Sequence, residues 1–198
     1  MSYKQISANA LYPLIGKEIE FIQIANYSIS GEVSITQQVF HNKGLIFNNC
    51  EFKEKVTILD VDLSCGIKFI NCIFQEHLFF KNVVVSQFDT NFNPENESIY
   101  LKSCKVGKSI VFHTRNRILR HTIIDGTSIG SNLVVNRQVS IEGGLRINNC
   151  TIQSNCRIEQ NNFLHDIVFS ETTSFGSFRF ENNKSSGYSF INNTFEKD

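Results

Sequence analysis

Six cysteines, five histidines and equal numbers of acidic and basic residues are the groups in this 198-residue chain with chemistry to offer. Thiols and imidazoles in close pairs would hold zinc, but no Cys-x-x-Cys or Cys/His cluster with ligand spacing occurs, so neither a metal nor a cofactor is expected. Carboxylates converging on one face would serve acid–base chemistry on a glycan. Asp60 and Asp62 are near neighbours, yet no matching acid follows in the next segment, and they read as solvated surface residues. His41, His77, His113, His121 and His165 are scattered, without a Ser-His-Asp order or a phosphate-binding loop. The residues therefore predict a protein that is not an enzyme.

The remaining polar chemistry is anion recognition. A formal net charge of zero hides an uneven distribution. Residues 98–158 carry nine Lys/Arg against two Asp/Glu, between an N-terminal part with seven against eleven and a C-terminal part with three against six. The band contains Lys102, Lys105 and Lys108, and then the run His113-Thr-Arg115-Asn-Arg117-Ile-Leu-Arg120-His121. Guanidinium groups fork onto phosphates and carboxylates, so the band is expected to meet nucleic acid or an acidic protein surface.

What must position these groups is a repeat. Aligning on an apolar-x-apolar core gives LIFNNCEF at 45–52, VTILDVDL at 56–63, IKFINCIF at 67–74 and LFFKNVVV at 78–85, each starting 11 residues after the last. The pattern resumes after 86–97 with IYLKSCKV at 99–106 and continues to YSFINNTF at 188–195; VSITQQVF at 33–40 begins it. Apolar anchors fall alternately five and six residues apart, which no 3.6-residue helical period reproduces. Eighteen Phe, no Trp and two Pro agree with many short strands. The expected fold is all-β: a right-handed parallel β-helix of 11-residue half-coils, about 22 residues per coil, with strands stacked at the β-ladder spacing of about 4.8 Å. Residues 1–31 are expected to form an N-terminal cap segment and 32–198 the β-helix domain. Residues 1–31 have no basic stretch followed by an unbroken apolar run, so a cytoplasmic protein without membrane contact is expected.

The pairs Cys50/Phe52, Cys72/Phe74, Cys104/Val106 and Cys150/Ile152 resemble the inward pair of the pentapeptide-repeat family, a small residue two positions before a large one. That resemblance implies a square β-helix and, as one version of function, inhibition or protection of a nucleic-acid-handling enzyme. The family's Ala-Asp/Asn-Leu consensus is largely absent, and helices with two or three faces also fit the repeat. The four cysteines then read as an interior stack, with Cys65 and Cys156 elsewhere in the repeat. Asn49, Asn71, Asn82, Asn149, Asn182 and Asn192 share one position and read as a corner ladder.

Function is expected where the repeat fails. Arg115 and Arg117 fall where an inward apolar residue is due, which predicts an outward loop over 113–121. The 86–97 interruption, with Pro94, Asp89, Glu95 and Glu97, is expected beside that loop, partly neutralising it. The outward residue between anchors is Phe79, Tyr100, Val111, Ile123 and Val134 in successive blocks, an apolar strip that either meets a partner or lies under the chain's own segments. The expected function is non-enzymatic binding of a protein or protein–nucleic-acid complex, with direct RNA or DNA contact through the basic band. A self-associating scaffold, dimerising through the C-terminal coil, is the alternative, and a glycan-active enzyme the third.

Overall fold

The computed structural model describes residues 3–17, 20–38, 40, 44–87, 89–92, 97–137 and 139–196. The repeat winds as a parallel β-solenoid of about 8 coils with about 23 residues per coil. Each 11-residue block holds two short strands, so a coil has four sides. Leu145–Asn148, Thr151–Ile152, Cys156–Glu159 and Asn162–Phe163 are the first to fourth sides of one coil. Strands pair in parallel with their counterparts one coil away, Leu145 opposite Ile167 and Cys156 opposite Phe178. The first side forms an eight-stranded sheet and the second a nine-stranded one. The third and fourth share ten strands, because Val56–Asp62 and Leu78–Val85 run unbroken around the corner between them.

The five-plus-six spacing puts one large apolar residue at the centre of every side. Phe47 stacks on Phe69 at 5.3 Å, Phe52 on Phe74 at 4.9 Å and Phe80 on Phe112 at 4.5 Å, all six with no exposed surface. Each such side chain contributes roughly 1.5–3 kcal/mol by leaving water. Between these columns run two thinner ones that satisfy inward backbone carbonyls. After the first side, Cys72 and Cys104 donate to the carbonyls of Phe47 and Phe69 at 3.4 and 3.3 Å, and Thr172 to that of Ile147 at 3.4 Å. After the third side, Asn116, Asn161 and Asn183 donate to the carbonyls of Phe80, Val135 and Ile158 at 3.1, 2.7 and 2.6 Å. The cysteines are interior filler: all six are buried, and burial pushes the Cys72 and Cys150 thiols up to about 12.

The corners turn on residues with φ near +50°, where asparagine tolerates the left-handed backbone better than most side chains. The expected asparagine ladder divides between two corners. Asn49, Asn71, Asn149 and Asn192 lie between the first and second sides, and Asn82 and Asn182 between the third and fourth. Amides link neighbouring coils, Asn49 Nδ2 to Asn26 Oδ1 and Asn82 Nδ2 to Asp60 Oδ1, each at 2.6 Å.

Coil strands extend upstream of residue 33: Phe21–Ala25 pairs with Gly44–Asn48, and Tyr27–Ser30 with both Lys4–Ser7 and Glu51–Phe52. The helix Ala8–Ile15 then closes this end of the core with the buried side chains of Leu11 and Ile15. Ser7 caps it by accepting from Ala10 N at 3.3 Å, and Tyr12 pins it by accepting from Ser34 N at 3.1 Å.

The loop expected over 113–121 is corrected. The segment 113–121 stays in the wall: Arg117–Ile118 pairs with Val84–Val85 on one side and Ser140–Ile141 on the other. One extra residue is absorbed at the corner, where Thr114 and Arg115 both take φ near +50°, and this moves Asn116 and Ile118 into the inward positions and leaves both arginines outside. Of the 86–97 interruption, Glu97 does lie beside the basic run, opposite His121 in the first-side sheet, whereas Phe92 packs on the first side of the N-terminal coils. Phe92 stacks on Phe21 at 5.0 Å over Gly44, where any Cβ would meet the Phe92 ring at 2.6 Å. Lys68 donates to the Phe92 carbonyl and pairs with Glu97, with both charged side chains buried. Glu97 thus neutralises Lys68, Asp89 accepts from Asn91 N at 2.8 Å, and Pro94 and Glu95 lie outside the described residues, as does His41.

Candidate partner-binding surface

The basic residues expected to form one site are distributed around the full perimeter of a single coil. Lys102 ends its first side, Lys105 is on the second, Lys108 at the next corner and His113 on the third. Arg115 sits at the following corner, Arg117 on the fourth side, and Arg120 and His121 where the chain turns back into the first. A collar of this kind cannot place all its cations on one flat partner. Lys108 is also paired with Glu76 at 2.6 Å, and Arg117 lies 3.8 Å from Glu142.

The apolar strip is divided in the same way. Tyr100 and Ile123 belong to the first side, stacked between Lys68 and Arg146, and are 8% and 7% exposed, so they belong to the folded interior. Phe79, Val111 and Val134 belong to the third side, where they follow Thr57 and precede Arg157 in one ladder. These three remain half-buried and face outward. A shallow apolar depression of about 370 Å³ runs along Phe79 and Val111, bordered by Lys55, Thr57, Lys81 and His113. Cations flank the strip. The exposed Lys81, Arg115 and Arg137 lie towards the fourth side and Lys108 towards the second.

The edge of this side towards the second is fixed by a further ladder of side-chain acceptors. Ser109 N donates to His77 Nδ1 at 3.2 Å, Asn132 N to Ser109 Oγ at 3.2 Å, Asn155 N to Asn132 Oδ1 at 3.1 Å and Ser177 N to Asn155 Oδ1 at 3.1 Å. Burial, and then the neighbouring Lys108, hold the His77 pKa below its ordinary 6.5, which keeps the ring an acceptor at neutral pH. The signal for this ladder was present in the sequence as a polar residue immediately before each third-side strand, but its chemical variety, from imidazole to hydroxyl to amide, hid it.

A second concavity, of about 500 Å³, lies at the corner between the fourth and first sides. It is lined by Leu119, Arg120, His121, Glu142, Gly143, Leu164 and His165, and so joins two expected residues, Arg120 and His121, to two that the sequence did not mark, Glu142 and His165. The imidazole centroids of His121 and His165 are 6.5 Å apart.

Among the described residues no group of three or more His, Cys, Asp or Glu side chains converges. Asp60 accepts from Asn82, and Asp62 accepts from Ser64 N at 2.7 Å, which gives both acids turn-forming roles. No helix in the described residues is long and apolar enough to cross a membrane. The fold defines the chain as a parallel β-solenoid. Searches of protein-family models, curated proteins and solved structures find no match to it.

Proposed function

We propose that this solenoid is a non-enzymatic binding protein whose third side engages an acidic protein surface. The observation that supports the reading is the outward strip Phe79–Val111–Val134 flanked by Lys81, Arg115, Arg137 and Lys108 on a wall whose backbone is tied from coil to coil. Apolar area in the centre of a patch supplies affinity, and a cationic rim selects and steers an anionic partner. A protein partner fits this centre better than a nucleic acid, whose recognition would rest on the cations alone. The four-sided coil is compatible with the pentapeptide-repeat resemblance, under which the partner would be an enzyme that handles nucleic acid, held through an acidic region.

The test compares binding of a fluorescent acidic peptide containing aromatic residues, duplex DNA and single-stranded RNA to the wild-type chain, Val111→Glu/Val134→Glu and Lys81→Ala/Arg115→Ala/Arg137→Ala. The reading expects the peptide to bind in a salt-dependent way and to lose at least tenfold in affinity in each variant. Equal binding to all three proteins, or binding of nucleic acid with indifference to the strip, would overturn it.

Self-association is a second reading, favoured by one observation. Phe175, Tyr188, Phe190 and Ile191, exposed by 40–67%, cluster at the C-terminal coils beside Phe178 and Phe195. Sedimentation at several concentrations decides it, and a monomer throughout removes it.

A further inference from the structure

The winding from the fourth side back to the first takes four residues from Ile141 to Leu145 but 14 from Val85 to Ile99, so the 86–97 interruption adds ten residues that the coil does not need. Ser86 N and Gln87 N both donate to the Ser64 carbonyl at 3.0 Å, which roots the excursion on the preceding coil. A turn at Asp89 follows, with Asn91 N donating to Asp89 Oδ1 at 2.8 Å and Phe92 N to the Asp89 carbonyl at 3.2 Å. It delivers the Phe92 ring, 3% exposed, while Thr90 and Asn91 stay in solvent. The ring enters a notch that the wall holds open. Gly44 is the floor, Phe21 stacks against the ring at 5.0 Å, and the Lys68 ammonium lies 4.8 Å from the ring centroid and donates to the Phe92 carbonyl. The outward column running past the notch is buried beside the excursion: Lys68, Tyr100 and Ile123 are 6%, 8% and 7% exposed, whereas Gln23 at one end and Arg146 at the other are exposed.

We propose that this notch is a docking site for a peptide turn that presents an aromatic side chain, and that the excursion occupies it as a displaceable internal substitute. The ladder beneath does not depend on the occupant, because Gly44 pairs with Phe21 on one side and Gly66 on the other. The counter-charge of Lys68 also stays when the occupant leaves. Glu97 belongs to the strand Glu97–Lys102, in register with His121, and not to the turn that carries Phe92. Lifting Phe92 therefore leaves the Lys68–Glu97 pair together and vacates two places, the ring seat and one carbonyl position on the ammonium. A partner that supplies an aromatic ring and the carbonyl of the same residue restores both contacts. It is recognised by ring and main-chain chemistry rather than by net charge, and on the first side rather than on the cation-rimmed strip of the third. Because the internal segment competes, the affinity of the wild-type chain is reduced in proportion to the fraction of molecules whose seat is open.

The probe is a fluorescein-labelled peptide with the sequence of residues 86–96, and its control carries alanine at the position of Phe92. Anisotropy titrations compare the wild-type chain, Phe92→Ala, Phe92→Ala/Gly44→Val and Phe92→Ala/Val111→Glu/Val134→Glu, each checked for its fold by circular dichroism. A Cβ at Gly44 meets nothing nearer than the Phe92 ring, so Gly44→Val fills the emptied seat without disturbing the wall. Phe92→Ala is expected to bind the probe saturably and at least tenfold more tightly than wild type, which still binds it at higher concentration. Adding Gly44→Val, or using the control peptide, is expected to cost at least tenfold, whereas the third-side substitutions leave the affinity within twofold. Phe92→Leu, a milder change, takes the place of Phe92→Ala if that variant does not fold, with the same order of affinities expected. Absence of saturable binding to the folded Phe92 variant, indifference to Gly44→Val, or loss of binding with the third-side substitutions would each overturn the assignment. A wild-type chain that never binds the probe would overturn it too, by showing the excursion to be a fixed part of the wall.

Discussion

His121 and Lys68 show how much a single polar group costs in a wall this thin. The folded chain holds His121 near pKa 4 against 6.5 when unfolded, so between these values the unfolded chain takes up the proton first. Stability from this residue is present above pH 6.5, falls as the pH drops towards 4, and changes no further below it. His121→Gln should flatten the acid limb of a denaturant-melt series between pH 6.5 and 4; an unchanged limb would show that the ring is not held neutral. Lys68 is the opposite case, a charge kept by a partner. It lies under Phe92, its Nζ 4.8 Å from the ring centroid, with its ammonium on Glu97 and the Phe92 carbonyl. Lys68→Ala leaves the Glu97 carboxylate buried and should cost about 3–5 kcal/mol in urea unfolding, whereas Lys68→Met/Glu97→Leu should cost much less. Equal losses in the two variants would mean that the pair is well hydrated.

At the scale of the element, the corner is where the repeat accommodates irregularity. Thr114 and Arg115 occupy consecutive left-handed positions, yet Ile118 still lies opposite Val85 and Ile141. Deleting Arg115 restores the regular five-residue step and should leave the melting temperature within a few degrees of wild type. Deleting Ile118 removes an inward anchor and shifts its neighbours to the wrong face, and should prevent cooperative folding, checked by near-ultraviolet circular dichroism. The spacing of Phe47, Phe52, Phe69 and Phe74 made the solenoid, its inward columns and the thiol stack legible before any coordinates. It did not reveal which inward column a polar residue joins. Asn116, between two arginines, read as part of an exposed loop because asparagine is ordinarily a surface residue; its burial depends on the Phe80 carbonyl and Val83 N, more than 30 positions away. The site was less legible for the same reason. Period and outward phase identified Phe79, Tyr100 and Ile123 as one strip, but the side each belongs to, and the fold-back that seats Phe92 over Gly44, depend on contacts between coils.

For the whole molecule, the strands of each coil pair only with those of the coils before and after it, so stability is close to a sum of local interfaces, with the Phe92–Phe21 contact the exception that spans two coils. The end closed by Leu11 and Ile15 is anchored, whereas the coil holding Tyr188, Phe190 and Ile191 has large exposed side chains and one neighbour among the described residues. Amide exchange should therefore show protection rising from Tyr188–Ile191 through Ile167–Ser170 to Leu145–Asn148; uniform protection would indicate that all coils open together. The parallel winding also has a mechanical meaning. Pulled by its two ends, the chain must release its ladder one circuit at a time, and a circuit of about 23 residues extended at about 3.4 Å per residue frees about 80 Å of contour. A force–extension trace should then be a staircase of nearly equal treads beginning at the aromatic end. The step that frees the coil bearing the 86–97 excursion would be the longest, because it pays out that extra length in the same event.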